Sequence, residues 1–181
     1  VAVAWFIFVG YWIFSAIKAK KNITERRFFT GGRLPALIFI VVFLLSKIFN
    51  YFGIHLARPV ISPVLDGVGI VLTVLGIAFA IWARVYLGRN WGMPMGIQEG
   101  AELVTTGPYT YVRNPIYTGV IFAVVGTTFV IGLLWLLVPY GLAGIYFVYS
   151  AKQEEKLMMQ QFPNQYPEYK KRTKMFIPFI L

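Results

Sequence analysis

Two short stretches of this 181-residue chain hold side chains whose types and spacing could do chemistry. The first is Arg113-Asn114-Pro115-Ile116-Tyr117, preceded by Tyr109 and Tyr111. Asn followed by Pro reads as a helix start: Asn caps, and Pro at the first helical position has no amide hydrogen to satisfy. A helix opening there turns its free backbone amides toward the preceding loop, an end that favours carboxylates and other anionic groups. The second stretch is Lys152-Gln153-Glu154-Glu155-Lys156. Neighbours on a helix point ~100° apart, so one of the two carboxylates is expected to face inward. A carboxylate there suits a ligand's ammonium or another cationic group. Cysteine is absent and His55 is the single histidine, which excludes disulfides, thiolate chemistry and histidine-cluster metal sites.

The elements that position these residues are membrane helices. Hydrophobic residues make up 58% of the chain and charged residues 13%, against roughly 45–50% and 25% in soluble domains. Residues 1–17 carry no charge, with no basic segment before them and no small-residue cleavage site after, so they read as a first span rather than a signal peptide. Further spans are expected at 34–57, opening at Leu34-Pro35, and at 63–87, opening at Pro63. Each exceeds the ~20 residues that cross a bilayer. Residues 116–151 hold no charge at all. As one helix they would run ~54 Å, too long for a single crossing. A hairpin turning near Gly132 is expected, with Pro139 kinking the fifth span.

The net charge of +10 then becomes an orientation signal. Lys18, Lys20, Lys21, Arg26, Arg27 and Arg33 follow span one. Arg89 and Arg113 lie between spans three and four, and Lys152, Lys156, Lys170, Lys171, Arg172 and Lys174 follow span five. Alternation of five spans puts all three groups on one side, with Arg58 on the other, and the positive-inside rule makes the rich side cytoplasmic. The expected fold is therefore an all-α integral membrane protein of about five transmembrane helices, N-terminus outside, with no call for nucleic acid. Membrane lipids are the expected partners of the basic segments. Lys47 lies mid-span and is expected to pair with Asp66 or to snorkel outward. His55 falls near the outer surface and reads as structural. Arg84, near the cytoplasmic end of span three, is placed to line an entrance from the bilayer.

A longer pattern emerges when these stretches are taken in order. It runs Leu103-Val104-Thr105-Thr106-Gly107-Pro108-Tyr109, Arg113-Asn114-Pro115-Ile116-Tyr117-Thr118-Gly119, Glu154-Glu155, Phe162 to Tyr166, Tyr169-Lys170-Lys171-Arg172 and Pro178-Phe179-Ile180. This ordered set resembles the isoprenylcysteine carboxyl methyltransferases and their bacterial or archaeal relatives, a group that extends to the membrane phospholipid N-methyltransferases. The likeness covers roughly residues 85–181. It implies transfer of a methyl group from S-adenosylmethionine, leaving S-adenosylhomocysteine, to a lipophilic or lipidated acceptor that enters from the bilayer. It also implies a cytoplasm-facing cofactor pocket built by the loop before span four, the start of that span and the end of span five. Carried onto this chain, Gly107, Tyr109, Asn114, Tyr117 and one of Glu154 and Glu155 contact the cofactor. Leu103 and Val104 cover the adenosine, and Arg113 orients or neutralises an acceptor carboxylate.

On this reading residues 1–181 form one methyltransferase domain. Three spans occupy 1–87; the cofactor-binding loop, helical hairpin and tail occupy 88–181. One position departs from the pattern: eukaryotic members usually have His where this chain has Asn114. Asn cannot carry a proton. A carboxylate acceptor is already nucleophilic near pH 7 and needs no base, whereas an ammonium headgroup does. Asn114 therefore favours carboxyl O-methylation over phospholipid N-methylation, although either glutamate could serve as base. A non-enzymatic membrane scaffold or transport component that kept the fold is the remaining alternative.

Overall fold

The computed structural model describes residues 1–20, 25–26, 59–90, 96–97 and 102–177. The expected second span, with Lys47 and His55, and the terminal Pro178-Phe179-Ile180 lie outside the described residues. The helices are α1 (Ala2–Lys20), α2 (Pro63–Leu87), α3 (Pro115–Ile131), α4 (Leu137–Gln161) and the short α5 (Tyr166–Arg172). Single 3-10 turns occupy Gly88–Asn90, Gly107–Thr110 and Leu134–Leu136. A two-residue antiparallel ladder joins β1 (Glu25–Arg26) to β2 (Gly96–Ile97), the one departure from an all-helical chain besides an isolated bridge between Val112 and Lys174 among the described residues.

Local chemistry sets the helix ends. The Ser62 hydroxyl caps α2, accepting from the Leu65 amide at 3.4 Å, Pro63 opens the helix, and Gly88 at φ +52° ends it. The charge-free stretch breaks at Gly132, whose φ of +74° stops α3 in the left-handed region. Pro139, expected to kink the fifth span, falls in the first turn of α4, after the 3-10 turn, where a missing amide hydrogen leaves no helical bond unmade.

α2 and the segment Leu134–Gln161 are long and apolar enough to cross a bilayer. Their open faces are apolar: Val64, Val68, Val71, Leu75 and Trp82 on α2, and Val138, Leu142 and Ile145 on α4. α1 exposes Phe6, Ile7, Ile13 and Phe14 in the same way. Such faces are at home in lipid rather than water, and the chain is an integral membrane protein.

What packs the interior is the absence of side chains. α2 and α3 run antiparallel with Gly69 against Gly126 and Gly76 against Gly119. A methyl group added at Gly76 would lie 2.5 Å from the Gly119 carbonyl oxygen, and one at Gly69 2.5 Å from that of Gly126. Small residues let the backbones close, the usual device where no hydrophobic effect drives helices together in lipid. Thr73, fully buried between them, donates to the Gly69 carbonyl at 2.8 Å. α1 docks through the Trp5 indole, which donates to the Thr127 hydroxyl at 2.9 Å.

Arg84 fixes the polarity of the bundle. Its guanidinium donates to the Gly88 carbonyl at 3.1 Å and the Ser15 carbonyl at 3.5 Å, which brings the last turns of α1 and α2 together. The start of α3 and the end of α4 meet at Tyr117 and Glu154. The segment after α1 pairs with the loop after α2. The connections that carry the basic residues thus leave the bundle at one end.

Candidate active site

At that end the first turn of α3 faces the last turns of α4. The Tyr117 hydroxyl donates to Glu154 Oε1 at 2.6 Å. Its ring packs on Phe147 at 5.3 Å and meets Phe176 edge-on at 6.3 Å. Glu154 lies past the charge-free stretch of α4, toward the end of the segment Leu134–Gln161. It keeps part of its surface open although protein surrounds it on most sides, as a side chain in a concave wall does.

The adjacent Glu155 points elsewhere and is buried, 5% exposed. Arg113 Nε donates to its Oε1 at 2.7 Å, and Lys170 Nζ pairs with its Oε2 at 2.7 Å. Arg113 Nη1 also donates to the Lys170 carbonyl at 3.2 Å and to the Thr173 carbonyl. Helix phase therefore separates the two glutamates. Glu155 is neutralised in a buried ion triad; Glu154 has a tyrosine hydroxyl and no cation at ion-pair distance among the described residues.

Asn114 stands at the N-cap position of α3, as expected, but does not cap it with its side chain. Its side chain makes no cap hydrogen bond; Nδ2 donates to the Met175 carbonyl at 3.3 Å, and the Asn114 amide donates to the same carbonyl at 3.1 Å. The physical reason is competition: the C-terminal segment offers a carbonyl within reach, and Asn is a donor as well as an acceptor.

The loop residues gather on a second patch. Tyr109, Tyr166, Tyr169 and Ala83 form a buried cluster, and Leu103, Val104, Ile116 and Met158 pack against it. The Tyr169 hydroxyl donates to the Tyr109 carbonyl at 2.7 Å. Burial holds the hydroxyls of Tyr109, Tyr166 and Tyr169 well above the usual tyrosine range, so they stay neutral. Gly107 adopts φ +60°, and a Cβ there would strike the Tyr86 ring at 2.7 Å. Its part is to let the loop turn against α2.

The structure thus brings Arg113, Tyr117, Glu154 and Glu155 together at one helix junction and sets Leu103, Val104 and Tyr109 on the neighbouring cluster. Arg84 lies on the α1 side of α2, tied to Ser15. Sequence reasoning missed the C-terminal segment: Lys170, Thr173 and Phe176 are all part of the junction. The readable signal was their composition, since Thr173 and Phe176 break the basic run that suggested a lipid contact.

A family model described as phospholipid methyltransferase matches residues 65–165, more than half of the chain. A protein-S-isoprenylcysteine O-methyltransferase of Saccharomyces cerevisiae is 27% identical over 198 residues, covering 99% of this chain and 78% of that protein. The nickel-cobalt-cadmium resistance protein NccN of Alcaligenes xylosoxydans xylosoxydans is 27% identical over 119 residues, covering 65% of this chain. Among solved structures, a eukaryotic intramembrane Ras methyltransferase, isoprenylcysteine carboxyl methyltransferase, is similar in fold, with a TM-score of 0.60 at 22% identity over 82% of this chain. The chain spans 52% of the length of each of the latter two.

Proposed function

The chain belongs to the phospholipid methyltransferase family, and from that premise we propose that it transfers a methyl group from S-adenosylmethionine to a lipophilic acceptor. The favoured acceptor is the carboxylate of an isoprenylcysteine-like thioether arriving through the bilayer. The observation that carries this reading is the junction of α3 with α4, where the Tyr117 hydroxyl holds a Glu154 carboxylate that keeps part of its surface open. The connections at this end carry the basic residues, so the site faces the cytoplasm and the N-terminus lies outside. The five-span count stands on the same reading.

The residues fit the cofactor by their chemistry. An amine and a sulfonium call for a carboxylate, and Glu154 supplies one that no described cation neutralises. Apolar Leu103 and Val104 beside Tyr109 suit a purine. When bound, S-adenosylmethionine supplies an electrophilic methyl group. The chain's own task is then placement and exclusion of water. Tyr117 holds the Glu154 carboxylate in position. Glu155 and two carbonyls hold Arg113 by Nε and Nη1. In this reading the guanidinium, fixed in advance, orients the acceptor carboxylate and loses little freedom in doing so. Asn114 serves by holding the C-terminal segment beside Tyr117.

Calorimetric titration of S-adenosylhomocysteine into the detergent-purified chain tests the reading. Micromolar binding that Glu154→Gln weakens at least about tenfold supports it. A folded chain with no binding, in detergent and in nanodiscs alike, overturns it in favour of a non-enzymatic transport or scaffold role. Phospholipid N-methylation is the second reading, favoured by a Glu154 carboxylate that no described cation neutralises and that could take a proton from an ammonium headgroup. Methyl incorporation into a farnesylated cysteine, compared with phosphatidylethanolamine, separates the two.

A further inference from the structure

We propose that residues 173–177 form a strap whose docking on the first turn of α3 sets how tightly the Tyr117–Glu154 wall holds its ligand, with Thr118 and Phe176 as positioning residues. The inference rests on the S-adenosylmethionine reading above. The strap runs beside the entry to α3, with a parallel bridge between Val112 and Lys174. Its successive carbonyls are taken by one short run of donors. The Arg113 amide donates to the Lys174 carbonyl at 2.8 Å and the Asn114 amide to that of Met175 at 3.1 Å. The Thr118 hydroxyl donates to the Phe176 carbonyl at 2.7 Å, and Arg113 Nη1 to that of Thr173.

These donors grip backbone, so they fix where the strap lies. Its one large buried side chain is Phe176, 4% exposed, whose ring meets the Tyr117 ring edge-on. Tyr117 in turn carries the hydrogen bond to Glu154. A continuous path of contacts therefore runs from strap to Tyr117 to the open carboxylate. α5 anchors the strap's near end: Lys170 pairs with Glu155, and the Tyr169 hydroxyl donates to the Tyr109 carbonyl. Coupling of this kind is reciprocal. If the docked strap strengthens ligand binding, the ligand strengthens docking by the same factor.

Hydrogen exchange of the full chain, with and without saturating S-adenosylhomocysteine, reads the coupling directly. The Arg113 and Asn114 amides, which the strap protects, are expected to exchange about tenfold more slowly with the ligand. Thr118→Val removes the hydroxyl bond to Phe176 and is expected to weaken ligand binding about fivefold, while Thr118→Ser keeps wild-type affinity. Phe176→Leu, which keeps apolar bulk but loses the ring edge, is expected to act in the same direction as Thr118→Val and decides the matter if that variant does not fold. A strap that is merely structural would lower the unfolding temperature in these variants and leave affinity and ligand-dependent exchange unchanged. That result, in a wild-type chain that binds the ligand, overturns the strap alone. A wild-type chain that binds nothing overturns the methyltransferase reading and the strap with it.

Discussion

The α2–α3 seam and the junction of α3 with α4 are built on opposite principles, though one helix serves both. Along the seam, Gly69, Gly76, Gly119 and Gly126 hold the helices together by having nothing to offer but backbone. At the junction, Arg113, Glu155, Lys170 and Thr118 hold the chain by charge and hydrogen bonds. The seam sits where lipid surrounds the pair, so close backbone contact is the available source of cohesion. The junction sits at the polar end, where ion pairs can form. α3 is thereby a rigid post: fixed by its middle, with the proposed site at its first turn.

Breaking the seam should have the largest effect. Gly76→Leu puts a side chain where even a methyl group meets the Gly119 carbonyl oxygen at 2.5 Å and the Ala123 amide nitrogen at 2.7 Å. Both neighbours are backbone and cannot yield without parting the helices. The variant is expected to lose its monodisperse peak in size-exclusion chromatography in detergent. A chain that stays monodisperse and keeps its unfolding temperature would show the seam to be looser than the structure has it.

Glu155→Gln is expected to come next. It leaves the buried Arg113 and the part-exposed Lys170 facing a neutral amide; losing a partner in a fully buried pair costs about 3–5 kcal/mol, and water reaching Lys170 lowers the cost here. Thermal unfolding in detergent reads this as a drop of many degrees, while far-UV circular dichroism at low temperature stays helical.

The two regions also differ in how far the sequence discloses them. Pro63, Asn114-Pro115 and Gly132 marked helix boundaries because each acts through local backbone geometry. The paired glutamates marked the junction because acids are scarce in this chain. Which of the two joins the ion pairs and which stays part-open was not readable, because it depends on the phase of α4 against α3, a matter of a fraction of a turn. The glycine spacing of seven was present on both helices, but matching Gly76 to Gly119 needs the antiparallel register. The strap left no periodic signal, since its bonds run through backbone carbonyls that every residue owns. Asn114 misled as a cap for the same reason: a competing carbonyl from residue 175, remote in sequence, took its side chain.

Glu154→Gln should produce a smaller effect and of the opposite kind from its neighbour. Glu154 keeps part of its surface open and no described cation pairs with it, so losing its charge strands no buried partner and the Gln variant should unfold close to wild type. Ligand binding should respond instead: the ammonium of S-adenosylhomocysteine loses its carboxylate partner, and affinity should fall at least about tenfold by calorimetry. An unchanged affinity would move the ammonium site away from Glu154.

The smallest effect is expected one residue from a large one. Lys170 and Lys171 are adjacent on α5, as Glu154 and Glu155 are on α4. Lys170 Nζ reaches the buried Glu155, whereas Lys171 pairs with Glu168 in the open, at 71% and 66% side-chain exposure. An exposed pair separated by three residues is screened by salt and sacrifices side-chain freedom to form. Lys171→Ala should therefore leave both the unfolding temperature and ligand affinity within error at ~0.15 M salt, while Lys170→Ala lowers the first measurably. Equal effects from the two lysines would mean that the basic run acts as a charged surface, and that the clasp on Glu155 contributes little.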